Sequence, residues 1–253
     1  MQLGLVTYNW GREWDLPTVI KNCQASGFRG VELRSTHKHG VEPSLTKPER
    51  REVAARFDAS RVELVGLGSA CEYHSPDPAV LKKNIEETKA FIMACHDCGG
   101  SGVKVRPNGL PRDAPIEKTI AQIGKALREV GTFGANYGVQ IRVEVHGRGT
   151  AELPRIKKIM DAADHENVGI CWNCNPTDLT GGGLKHNYNL VKDRFGATVH
   201  IHDLISEYPW KEFFALLKAA KYEGWTLVEE GKQTADPVRV MSYYRLLWEY
   251  MTG

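Results

Sequence analysis

Nine side chains of this sequence could do acid–base or metal chemistry if the chain brought them to one place. Glu32 stands in Gly30-Val31-Glu32-Leu33-Arg34. Glu144 and His146 close Val143-Glu144-Val145-His146, and Asn173 closes Cys171-Trp172-Asn173. His200 and His202 alternate in Val199-His200-Ile201-His202-Asp203, Glu229 follows Val228, and Lys104 and Arg106 alternate in Gly102–Arg106. Alternation of ionisable with apolar residues puts the ionisable ones on one face of a β-strand. A pair of carboxylates such as Glu144 and Glu229, flanking a small molecule, supplies the base and acid that move a proton on carbon next to a carbonyl. Several acids gathered away from water carry charge that must be neutralised. A divalent cation would do this and would hold the oxygens of an enediolate; Lys104 or Arg106 could instead supply positive charge without metal.

Other motifs carry less. The pairs Cys95-His96-Asp97-Cys98 and Cys171-Trp172-Asn173-Cys174 have zinc-like internal spacing. They lie far apart, the first at the end of a helical stretch and the second at the end of a strand-like one, so thiols packed in a reducing compartment are the better reading. The run Thr180-Gly181-Gly182-Gly183 invites a phosphate site, but glycine there more often gives a loop its mobility. Barrel phosphate sites favour the last two loops, where only Gly231-Lys232 offers itself. Glu72 and His74 follow the third strand candidate and read as an ordinary polar loop or as part of a site mouth. The aromatic stripe Tyr243, Tyr244, Leu247, Trp248, Tyr250 covers more than one helical face, which suggests a homo-oligomer.

The elements that must position these groups read as alternating strands and helices. Strand candidates are Leu3–Tyr8, Gly30–Arg34, Val62–Ser69, Gly102–Arg106, Val139–His146, Val168–Asn173, Ala197–Asp203 and Trp225–Glu230. Helical periodicity fills the gaps, as over Ala79–Ala94, Ile116–Phe133, Glu152–Ala163, Pro209–Lys221 and Asp236–Met251. Eight β/α pairs in 253 residues predict an α/β protein with a single (β/α)8 TIM barrel over residues 1–253. The candidate residues then sit at strand ends, on the carboxyl face where such barrels carry their sites. The loops after strands 2, 3 and 6 are expected to differ most in length.

Composition sets limits. The chain has 33 basic and 31 acidic residues, a net charge of +2, which gives no electrostatic case for nucleic acid. No apolar run is long enough to span a bilayer. The first residues enter a strand without a basic leader, so a cytoplasmic location is expected.

The strings Gly27-Phe28-Arg29-Gly30-Val31-Glu32-Leu33, Val143-Glu144-Val145-His146, Val199-His200-Ile201-His202-Asp203 and Val228-Glu229-Glu230 together resemble the xylose isomerase-like TIM-barrel superfamily. That group contains sugar isomerases, ketose 3-epimerases, inosose dehydratases and the related AP endonucleases. The resemblance implies a divalent metal (Mn, Mg, Co or Zn) held by Glu144, Asn173, His200 and Glu229, with the two glutamates as acid and base. It implies a small sugar or polyol as substrate, with Glu32, Lys104, Arg106, His146 and His202 as candidate contacts. Isomerase or epimerase is the leading reading; a dehydratase or lyase using the same base, or a sugar-binding barrel that has lost its metal, are the alternatives. One departure stands out. The family's strand 6 usually ends in Asp with a His three residues on, where this chain has Asn173-Cys174-Asn175-Pro176. An amide oxygen can ligate a hard cation but brings no charge, so binding should weaken unless His146 or Asp178 compensates.

Overall fold

The structure, a computed structural model, describes residues 1–253. Its strands are β1 Gln2–Val6, β2 Gly30–Arg34, β3 Glu63–Glu72, β4 Gly102–Arg106, β5 Gln140–Glu144, β6 Val168–Trp172, β7 Phe195–Ile201 and β8 Trp225–Val228. The helices between and after them are α1 Leu16–Ser26, α2 Lys47–Asp58, α3 Pro78–Asp97, α4 Ile116–Ala135, α5 Leu153–Ala163, α6 Gly183–Val191, α7 Trp210–Ala219 and α8 Pro237–Thr252. The strands are parallel and close in chain order, β8 pairing with β1 through Gln2↔Trp225 and Leu5↔Val228. This is a single (β/α)8 barrel. Helix starts follow local chemistry: the Asp15, Asp77 and Asp236 side chains accept from the first-turn backbone, and Thr46 and Glu49 form a capping box. No helix is long and apolar enough to cross a membrane.

The expected loop lengths need one correction. The connection after β3 is short, residues 73–77, while the longest follow β2 (35–46) and β6 (173–182). The β3 strand itself runs on to Glu72, through a register shift near its end, and absorbs what the sequence suggested was loop.

Strand alternation sorts the side chains. The larger apolar core lies between strands and helices, with Leu33, Val103, Ile141, Val143, Val199 and Ile201 all buried there. Inside the barrel Val6, Val65, Trp225 and Leu227 form a separate small cluster; Trp225 and Arg142 close its lower end, while Val6 and Leu227 rise beside Glu32 and His200 in register. Arg142 is 1% exposed and donates to the Val65 carbonyl at 2.8 Å, Ser101 Oγ at 2.9 Å and Gln140 Oε1 at 3.3 Å. Glycines make room for this floor: a Cβ on Gly102 would lie 2.2 Å from Arg142 Cζ, and one on Gly30 would lie 2.5 Å from the Trp225 ring.

The turn after β6 is braced from behind. Asp178, in the 3₁₀ turn Pro176–Leu179, is fully buried and accepts from the Tyr208 hydroxyl at 3.0 Å, while Trp172 Nε1 donates to the same hydroxyl at 3.0 Å. Burial pushes the Asp178 carboxyl up to about 7, against the Tyr208 hydrogen bond. Its task is to hold this turn, and it is not the expected replacement for a missing ligand.

Two outcomes test this packing. Gly102→Ala should lower stability by about 1–3 kcal/mol in urea unfolding, because the pinned guanidinium leaves no room for the methyl. Gly231→Ala, where nothing stands within 4 Å of the added carbon, should be neutral. Unchanged stability in Gly102→Ala would show that Arg142 does not form the floor. For Asp178 the folded carboxyl titrates above the unfolded one, so its stabilising contribution is present at low pH and is lost between about pH 4 and 7. Asp178→Asn should therefore gain on wild type by up to about 4 kcal/mol between pH 4.5 and 8. The same stability difference at both pH values would show that Asp178 is not held protonated by burial.

Candidate active site

Above the floor the inward-facing positions turn ionisable. Each strand contributes by its two-residue period: Glu32 from β2, Lys104 and Arg106 from β4, Glu144 and then His146 from β5 and its end. His200 and then His202 come from β7, with Asn173 just after β6 and Glu229 just after β8. A Cβ on Gly68 would lie 2.8 Å from Glu32 Oε1, so this glycine opens the space into which that carboxylate fits.

The centre of the group is Glu144, His200 and Glu229, each offering a donor atom within 4.8 Å of the others. His200 is fully buried and lies between two acids: Nδ1 is 3.5 Å from Glu229 Oε2, and Nε2 is 3.5 Å from Glu32 Oε1. Burial opposes charge on this imidazole, but the Cys171 sulfur and the Glu32 and Glu229 carboxylates outweigh it and carry its pKa well above the ordinary range. Burial likewise works against ionisation of Glu229, and His200, then Lys104 and His202, overcome it and hold the carboxyl down at about 2. Glu32 follows the same pattern and sits below the usual carboxylate range. Lys104 is 3% exposed, and its Nζ donates to Glu144 Oε2 at 2.6 Å. Burial disfavours its ammonium, but Glu144, Glu32 and Glu229 raise its pKa.

The donor set suits a hard divalent cation. Asn173 Oδ1 and both His200 ring nitrogens are buried without a hydrogen-bond partner, which is costly unless something satisfies them. An imidazole that gives one nitrogen to a metal and turns the other towards a carboxylate is a common arrangement, and Glu32 stands where that carboxylate is needed. Asn173 Nδ2 lies 3.3 Å from Glu144 Oε1, so the amide reaches the same group of donors.

Several expected contacts have other partners. His202 has Nδ1 2.8 Å from the Glu229 carbonyl and Nε2 2.7 Å from the Asn173 carbonyl. Both ring nitrogens face main-chain carbonyls at the ends of β6 and β8, so the ring is turned to the strand ends and not to a substrate hydroxyl. Glu32 and Lys104 lie beneath the mouth, not on it, at 0% and 3% exposure. His146 and Arg106 are at the rim. His146 Nδ1 lies 2.7 Å from Asn108 Oδ1, the Arg106 guanidinium donates to Glu72 Oε1 at 2.8 Å, and Asn108 Nδ2 donates to the same carboxylate oxygen. Glu72 and Asn108 thus join β3, β4 and β5 in one rim network. Asn108 was absent from the sequence reading, and the Pro107-Asn108-Gly109 turn carries no alternation that would have shown it. Arg142 was missed as well, although its place two residues before Glu144 puts it on the inner face.

Known proteins bear on this geometry. The family described as "Xylose isomerase-like TIM barrel" matches residues 20–242. An L-ribulose 3-epimerase from Methylomonas sp. (strain DH-1) is 22% identical over 258 residues, covering 94% of this chain and 88% of the relative. Among solved structures, an L-ribulose 3-epimerase superposes with a TM-score of 0.84 at 15% identity, over 100% of this chain and 95% of the other. The IolI protein with a bound zinc atom superposes with a TM-score of 0.76 at 15% identity, over 100% and 96%. A match of that length to the family, together with a closed eight-stranded barrel, places the chain: it belongs to the xylose isomerase-like TIM-barrel family.

Proposed function

We propose that the protein is an epimerase or isomerase of a ketose or keto-sugar that uses Glu144 and Glu229 as its proton-transferring pair, at a divalent cation held by Glu144, Asn173, His200 and Glu229. The observation that carries this reading is the cluster of Glu144, His200 and Glu229 donors within 4.8 Å, at the carboxyl end of the barrel. A relative spanning nearly the whole chain is an L-ribulose 3-epimerase, which supports a ketose as substrate class. The zinc atom in the IolI structure supports metal use on this scaffold.

When bound, the cation would draw electron density from the substrate carbonyl and favour an enediolate. The chain's own residues do the rest. Glu144, with one oxygen held by Lys104, presents the other as an acceptor for a proton on the carbon next to the carbonyl. Glu229 reaches the same space from β8 and keeps 12% of its side chain exposed, so it can exchange protons through the mouth and return one from its own side. Return to the opposite face of the same carbon gives epimerisation; return to the neighbouring carbon gives isomerisation. The Glu72–Arg106–Asn108–His146 network lines the rim where hydroxyls of a sugar chain would lie. Of the aromatic stripe on α8, Tyr244 is buried and Leu247 and Trp248 pack against the core, while Tyr243 and Tyr250 stay 57% and 75% exposed, and on these two rests the further reading of a homo-oligomer.

In D2O the purified protein should place solvent deuterium on a ketose carbon without losing water from the sugar; elimination of water would establish the dehydratase or lyase reading instead. Glu144→Gln and Glu229→Gln should each slow this exchange about 10²–10⁴-fold while circular dichroism stays native. Exchange within about tenfold of wild type in either variant would remove that residue from the chemistry. Asn173→Asp should tighten Mn²⁺ binding in calorimetric titration, since a carboxylate replaces a nearly isosteric amide; equal affinity would show that residue 173 does not face the ion.

A further inference from the structure

The reaction just described needs two carboxylates and a cation, yet the inner layer holds a second cation of its own. Lys104 rises from β4 beside Arg142 in register, is almost wholly removed from water, and places Nζ 2.6 Å from Glu144 Oε2. The other oxygen of that carboxylate, Oε1, faces the Asn173 amide. Glu144 is therefore held by an ammonium on one side and accepts from Asn173 Nδ2 on the other, with the His200 and Glu229 donors within 4.8 Å. Arg142, the neighbouring cation, is already engaged by the Val65 carbonyl and Ser101 Oγ and does not take this role.

Charge counting gives the arrangement a meaning. Two ligand carboxylates, Glu144 and Glu229, less the Lys104 ammonium leave one negative charge to meet a divalent ion. An aspartate at 173 and an apolar residue at 104 would leave three. Both departures weaken the hold on an ion, and the lysine also neutralises Glu144 whenever no ion is bound, when an isolated buried carboxylate would be costly.

We propose that Lys104 is a positioning residue that shares Glu144 with the divalent ion, standing in for part of its charge and keeping the ion weakly held and exchangeable. The inference rests on the reading that Glu144, Asn173, His200 and Glu229 hold that ion. It predicts that the ion and the lysine substitute for each other: the protein keeps its site assembled without metal, and loss of the lysine is repaired by metal.

The test is calorimetric titration of wild type, Lys104→Met and Lys104→Gln with Mn²⁺, together with thermal unfolding of each with and without Mn²⁺. Both variants should bind Mn²⁺ at least about tenfold more tightly than wild type, because a like charge next to the ion is gone. Both should unfold at lower temperature than wild type without Mn²⁺ and recover most of that loss when it is saturating. Binding by the variants with none detectable in wild type would also support the proposal. An affinity equal to or below wild type in either variant overturns it. So does a variant that stays unfolded whether or not Mn²⁺ is present, since the lysine would then serve the fold itself and not stand in for an ion. If neither wild type nor variants bind Mn²⁺, the ion site itself fails, and this proposal with it. That result differs from the one in which wild type binds and the variants bind no better.

Discussion

The ion pair between Lys104 and Glu144, 2.6 Å long and closed off from solvent on both sides, sets the terms for the rest of the barrel interior. Removing one partner of such a pair typically costs about 3–5 kcal/mol, because the charge left behind cannot return to water. The same demand extends to Glu32 and His200, neither of which is exposed. The interior therefore works as one electrostatic group, in which each acid faces a base on another strand. Barrels of this kind usually fill their centre with branched apolar side chains. Here only Val6, Val65 and Leu227 play that part, with Trp225, and charged side chains share the interior with them in register.

That organisation explains why glycines stand where they do. Arg142 and Glu32 are large side chains that must lie flat against neighbouring strands, and Gly102 and Gly68 are where they do so. The support continues behind the strands, where Trp172, Tyr208 and Asp178 form a hydrogen-bonded chain that braces the turn carrying Asn173. Cys174, next in sequence, takes the left-handed conformation with φ 47°, a state that only a well-supported turn imposes on a residue with a side chain.

Much of this was legible in the sequence because strand alternation is a local signal. Gly102–Arg106 and Gly30–Arg34 have in the structure the bounds that their patterning suggested, and Glu144, His200 and Glu229 meet because alternation put all three on the inner face. What escaped depends on distance through space. Nothing in the sequence shows that Lys104 reaches Glu144, that His202 turns its ring nitrogens towards main-chain oxygens, or that Asp178 turns towards Tyr208. These pairings join residues some thirty to forty positions apart, and side-chain reach decides them. The β3 end shows a different limit: a register shift lets the strand continue to Glu72, and no local pattern announces a bulge.

The sealed floor has a consequence for traffic. With Trp225 and Arg142 lying across the lower end, the barrel is a blind well with one doorway. Whatever enters must leave by the route it came. Under the epimerisation proposed above, a sugar changed at one carbon would depart past the same rim residues that admitted it. Those residues would then meet both epimers, and a rim that gripped one of them too well would slow the turnover of both.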